Sequence, residues 1–205
     1  MIYLVRHGRT VFNQEGRYQG GLDSPLTPLG LGQAARVGRL LRGLIGDPAD
    51  WTIQASPLGR TRHTAQIICR EIGQGATFTE DARLVEVNMG AWDGLTRPEI
   101  EAQFPDRLEG TSGYDFFFRA PGGESYRDLA DRLGAWLAEA QADPRPRIAV
   151  SHGVSGRVLR GLYLNLDPAE ALRLEAPQDA VFRLDGGQAQ RIDAEPAPAL
   201  AFDAS

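Results

Sequence analysis

The sequence predicts an α/β fold with a mostly parallel central sheet flanked by helices. Three observations predict it. Short apolar runs alternate with stretches of helical periodicity. Three of those runs end alike, on residues that can do chemistry: VRHG at 5–8, ASPLGRT at 55–61 and VSHG at 150–153. No apolar run approaches the length of a membrane span.

Ile2–Arg6 is the first strand. Thr27 and Pro28 supply an N-cap and a first-turn proline for a helix that carries Ala34, Val37, Leu41 and Leu44 on one face. Thr52–Ser56 is a second short strand, and Leu58–Ile72 is a helix with Thr61, Ala65, Ile68 and Ile72 on one side. From Glu86 to Gly123 the alternation breaks. Aromatic residues, three prolines and short helical hints there predict an irregular cap passing over the sheet. Ser125, with Asp128 three residues on, caps a third helix whose face is Tyr126, Leu129, Leu133, Trp136, Leu137 and Ala140. Arg147–Ser151 is a third strand, and Val154–Tyr163 resumes the helical pattern. AVFRL-DGG-QAQRI predicts a hairpin around Asp185 and Gly186. The Ala/Pro-rich tail at about 193–205 is expected to be loose. The whole of 1–205 then forms one domain, with the cap at about 86–123 inside it.

Composition narrows the function. Cys69 is the only cysteine, so no disulfide forms within the chain, which fits a reducing, cytoplasmic setting. With a strand expected from Ile2, no signal peptide is expected. One Cys with His7, His63 and His152 gives no zinc-ligand spacing, so no metal is expected. The chain contains no lysine. That excludes a P-loop and Schiff-base chemistry, and it leaves anion binding to guanidinium groups, backbone N–H groups and protonated imidazole. A net charge of −5 with scattered arginines argues against a nucleic-acid partner.

If the three strands run parallel, their carboxyl ends bring Arg6, His7, Arg60 and His152 to one spot. Two arginines and two imidazoles repel one another unless an anion sits among them. The tetrahedral oxyanion that suits guanidinium forks, and that histidine can attack, is a phosphoryl group. A neutral imidazole is nucleophilic near pH 7, and its second nitrogen needs an acceptor to fix the tautomer, for which a backbone carbonyl is expected. Gly8 is expected to let the backbone approach the oxyanion.

RHGRT at 6–10, ASPLGRTRHTA at 55–65, the acidic residue of EVNMGAWDG and the late SHG, in that order, resemble the histidine phosphatase superfamily. The branch is the one with cofactor-dependent phosphoglycerate mutases, bisphosphatases and broad-specificity phosphatases, and the likeness runs from Ile2 to about Leu184. The resemblance implies a three-layer, phosphoglycerate mutase-like sandwich. It implies that His7 is the nucleophile, becoming a phosphohistidine, and that Arg6, Arg60 and His152 clamp the phosphoryl oxygens in place of a metal. It assigns general acid and base work to Glu86, ahead of Asp93, Glu99 and Glu101. It makes Asn13 a phosphate-contacting amide and places Gln19, Gly20 and Gly153 at the substrate. His63 has no counterpart in the motif and is expected to be a partly exposed helix residue. PGGES at 121–125 also resembles a family segment, and a turn followed by a helix cap suffices to explain it.

Two departures bear on the substrate. Arg9 stands where the family often carries another polar residue. The basic insert of the mutases is replaced by YDFFFRA, in which Tyr114 and Phe116–Phe118 accompany one cation, Arg119. That favours a less charged alcohol or a permissive pocket, with an aromatic core cluster as the competing reading. The expected function is metal-independent hydrolysis of a small phosphorylated metabolite, with no cofactor, no nucleic acid and no membrane. The alternative is a mutase-type phosphoryl transferase. A serine hydrolase at Ser155, in GVSG, and a non-catalytic phosphate-binding module rank behind both. The exposed edge of the terminal hairpin leaves a homodimer open.

Overall fold

The computed structural model describes residues 1–195. In chain order the elements are β1 (Ile2–Arg6), α1 (Val11–Glu15), α2 (Pro28–Ile45), β2 (Thr52–Ala55), α3 (Gly59–Ile72), β3 (Thr79–Glu80), α4 (Arg97–Gln103), α5 (Tyr126–Ala142), β4 (Arg147–Ser151), α6 (Gly153–Leu164), α7 (Pro168–Arg173), β5 (Ala180–Asp185) and β6 (Gln188–Asp193). The sheet order is β3-β2-β4-β1-β5-β6. The first four strands of that order are parallel, with Ile2 opposite Arg147 and Arg6 opposite Ser151. β5 and β6 join antiparallel, as the expected hairpin, and make the sheet mixed.

Strand alternation builds the three layers. Ile2 and Leu4 of β1 face a core made with α5, α6 and the cap, while Tyr3 and Val5 face a second core made with α2 and α3. Ala149 of β4 joins the first core, and Ile148 and Val150 join the second. Both faces of the central strands are therefore apolar, and helices on both sides follow from it.

The helix faces agree with the sequence, with one correction. Thr27 accepts from the Gly30 N–H at 3.1 Å and caps α2, and Ala34, Val37 and Leu41 are buried. Leu44, expected on that face, is 37 % exposed, and Ile45 takes its place at 6 %. A residue four on from Leu41 lies about 40° round the helix and one three on about 60°, so Ile45 is nearer the core. Ser125 and Asp128 form the capping box of α5.

Four short elements escape a periodicity reading: α1, α4, α7 and β3. The three helices are five to seven residues long and announce themselves through capping boxes, Thr10/Asn13, Thr96/Glu99 and Asp167/Glu170. The cap is largely core. Val87, Met89, Trp92, Ile100, Phe116 and Phe117 are buried, and the rings of Phe116 and Phe117 lie 4.2 Å apart. Arg17 ties the cap to the loop after α1 by donating to Glu99 at 2.8 Å and to the Gly94 carbonyl at 2.8 Å.

The tail expected from 193 starts later. Asp193 closes β6, and the Ala194 N–H donates to the Asp179 carbonyl at 2.9 Å. The rest of that expected loose segment, from 196 on, lies outside the described residues.

Candidate active site

β1 and β4 are parallel neighbours, so the residues that follow them, His7 and His152, stand side by side at the carboxyl edge of the sheet. Their ring centroids are 5.3 Å apart at 63°, and both residues are buried. His7 Nδ1 lies 2.8 Å from the Gly8 carbonyl. A carbonyl only accepts, so Nδ1 carries the proton and Nε2 keeps the lone pair. Burial first, then the Arg60 and Arg6 charges, hold the His7 pKa well below the ordinary imidazole value. His152 is lowered in the same way, by burial and then by Arg60, His7 and Arg6. Both rings are therefore neutral at pH 7. This replaces the protonated imidazole expected from the lysine-free composition.

His7 opens onto a cavity of about 350 Å³ whose walls include Arg6, Asn13, Gln19, Glu86 and Gly153. Arg6 donates from Nη1 to the Ala176 carbonyl at 2.6 Å, and its buried Nε has no partner. Burial lowers its pKa to about 10, so it remains a cation. Gly153 opens α6 against that guanidinium: a Cβ there would stand 3.4 Å from Arg6 Cζ.

Glu86 lies on the irregular segment after β3 and reaches the N-terminus of α6. Its carboxylate accepts from the Val154 N–H at 3.0 Å, the Ser155 N–H at 2.8 Å and Ser155 Oγ at 3.0 Å. A carboxylate at the positive end of a helix dipole is held there by charge as well as by hydrogen bonds. The competing acids are engaged elsewhere. Asp93 accepts from the N–H groups of Gly20, Gly21 and Leu22, Glu99 pairs with Arg17, and Glu101 pairs with Arg97.

Several expected residues sit differently from their reading. Arg60 is fully buried and grips the loop after α1. Nη1 donates to the Leu22 carbonyl and to Asp23 Oδ1, at 2.8 and 2.7 Å, and Nη2 donates to the Gly20 carbonyl at 3.0 Å. Among the described residues only its Nε is left without a partner, so its charge reaches the histidines while most of its donors hold the loop. His152 Nε2 lies 2.8 Å from Ser56 Oγ, and its buried Nδ1 has no partner. Neither Arg60 nor His152 lines the cavity itself. Gly20 does not line it either: a Cβ there would meet the Met89 N and the Val87 carbonyl, so this glycine seats the loop on the cap. Gln19 and Asn13 line the cavity with tethered amides. Gln19 Nε2 donates to Thr10 Oγ1 at 2.6 Å, and Asn13 Oδ1 accepts from Gln178 Nε2 at 3.0 Å.

Gly8 owes its identity to packing. A Cβ would run into the Gly30 carbonyl, and its N–H is bonded to Thr64 Oγ1 at 3.1 Å, away from any oxyanion. His63 is exposed on the outer side of α3, as expected. Ser155 is fully buried, and its hydroxyl lies between the Val85 carbonyl and Glu86, which removes it as a nucleophile.

Among the lining residues that the sequence reading missed are Arg17, Tyr18 and Arg157. Arg157 is half-buried, its Nε has no partner, and Glu86 is the charge that most favours its protonated form. The signal was the spacing. A helix starting at Gly153 puts 153, 154 and 157 on one face, and all three line the cavity.

The chain matches the family described as "Histidine phosphatase superfamily (branch 1)" over residues 2–192. A probable phosphoglycerate mutase GpmB of Salmonella paratyphi C is 39 % identical over 197 residues, covering 92 % of this chain and 86 % of that protein. The solved structure of Rv3214 from Mycobacterium tuberculosis superposes with a TM-score of 0.76 at 30 % identity, over 94 % of this chain and 96 % of that one. A mycobacterial glucosyl-3-phosphoglycerate phosphatase, Rv2419c with VO3, gives 0.73 at 30 % identity, over 89 % and 92 %.

Proposed function

The chain belongs to the histidine phosphatase superfamily, branch 1, and from that premise we propose that it is a metal-independent phosphomonoester hydrolase working through a phosphohistidine on His7. The observation that carries the reading is the Gly8 carbonyl on His7 Nδ1, which leaves a neutral Nε2 to attack. Nε2 forms its bond to phosphorus as the ester oxygen leaves, and Glu86 relays to that oxygen the proton carried by the substrate's monoanionic phosphate. Water then attacks the phosphohistidine, Glu86 takes the water's proton, and inorganic phosphate departs.

The Arg6 cation stabilises the phosphoryl oxygens from the cavity wall, with His152 Nδ1 and the Arg60 charge behind it. Removing one such donor costs about 3 kcal/mol of barrier, on the scale of a lost oxyanion-hole donor. The substrate is a small phosphorylated metabolite in a cavity walled on its cap side by Met89 and Phe117. That apolar cap side supports hydrolysis, whereas Arg17 and Arg157 on the same cavity favour an anionic substrate and bear on the mutase reading.

The mutase reading is favoured by the 39 % identity to a probable phosphoglycerate mutase. The two differ in what accepts the phosphoryl group. Enzyme phosphorylated by substrate, freed of it and left in water should release phosphate within the time of a turnover. A phosphoenzyme that survives in water and discharges on added phosphoglycerate would establish the mutase instead.

A further inference from the structure

We infer that Arg132 is a positioning residue for Glu86, and that Glu124 of the PGGES segment holds Arg132 to that task. The inference rests on the acid–base reading of Glu86. The segment that carries Glu86 has no strand partner, and its carbonyls are held by side chains instead. Arg132, on α5, donates from Nη1 to the Arg83 carbonyl at 2.7 Å and the Val85 carbonyl at 2.8 Å, and from Nη2 to the Glu86 carbonyl at 3.1 Å. Its other edge is bidentate on Glu124, Nε to Oε1 at 2.7 Å and Nη2 to Oε2 at 2.9 Å. All five guanidinium N–H donors are thereby used.

Glu124 also closes the far side of the segment. It accepts the Asn88 N–H at 3.2 Å, and its own N–H donates to the Asn88 carbonyl at 2.8 Å. Glu86 is thus fixed from both flanks, by contacts to 83, 85 and 86 on one and to 88 on the other. The two clamp side chains are only 19 % and 13 % exposed, so water does not readily replace either. PGGES therefore does more than turn the chain and cap α5.

The reaction needs this because a proton donor displaced by a fraction of an ångström from the leaving oxygen loses rate steeply. Arg132 does not line the cavity and meets it through Glu86; its charge also disfavours protonation of His152, an effect that both esters below share. The test is the pre-steady-state burst of enzyme phosphorylation for Arg132→Gln, with an alkyl phosphate and with p-nitrophenyl phosphate, whose leaving group needs no proton. The burst with the alkyl ester should fall about tenfold or more and the other by less than about threefold. Arg132→Lys should not restore it, since an ammonium cannot span Glu124 and three carbonyls. Added to Glu86→Gln, Arg132→Gln should cost nothing further.

Equal loss with both esters, or additive loss in the double variant, would overturn the inference. Should Arg132→Gln not fold, Glu124→Gln opens the clamp with the arginine retained and carries the same expectations. If Glu86→Gln alone shows no dependence on leaving group, the acid reading fails and this inference goes with it.

Discussion

That the His7 imidazole is neutral depends on where each charge sits. His7 and His152 are buried beside Arg6 and Arg60, and all of these disfavour imidazolium. NMR of the two rings should show neutral-form shifts at pH 6, where an unperturbed histidine with a pKa near 6.5 is mostly charged. Titration of either ring at 6.5 would contradict this. The same shifts bear on stability. Folded-state values lie below the unfolded one, so the contribution is full above about pH 6.5 and is lost as pH falls below it. His63 lies outside the cavity, and His63→Ala should leave kcat/KM within about twofold. At this scale the cluster of Arg6 and His7 was legible because motif and strand end coincide, whereas Glu86, on an irregular segment, was reached only through the resemblance. The grip of Arg60 on residues 19–23 was not legible. Which carbonyls a long side chain reaches depends on a loop whose path the sequence does not specify. Arg157 is readable from helix spacing, since 153, 154 and 157 share one face.

Elements longer than two turns were legible with their buried faces. Thr61, Ala65, Ile68 and Ile72 of α3 are all buried as expected, and Leu129, Leu133, Trp136, Leu137 and Ala140 of α5 likewise. Helices of five to seven residues carry too few apolar positions to show a period, and only their caps identify them. The end of α2 gives a sharp test of register. Leu41→Ala should cost about 2–5 kcal/mol in chemical denaturation, as for other fully buried leucines. Leu44→Ala should cost less than about 0.5 kcal/mol. Equal costs would place Leu44 back in the core. The aromatic cap divides along similar lines: Phe116 is core, whereas Phe117 is both buried and part of the cavity wall.

At the scale of the molecule, the alternation of strands and helices was legible but the strand order was not. The order comes from pairings such as Ile2 with Arg147, which no local pattern encodes. That order matters because it sets His7 beside His152. The cavity's cations are guanidinium groups, and the account assigns charge stabilisation to them, so activity should survive chelation by EDTA with less than about twofold loss. A large loss reversed by one divalent metal would call for a different chemistry. The central claim is that the phosphoryl group passes through His7. Steady-state enzyme quenched in alkali and mapped by mass spectrometry should carry an acid-labile phosphate on His7, absent from inactive His7→Ala; turnover with no such adduct, or an adduct on another residue, would contradict it.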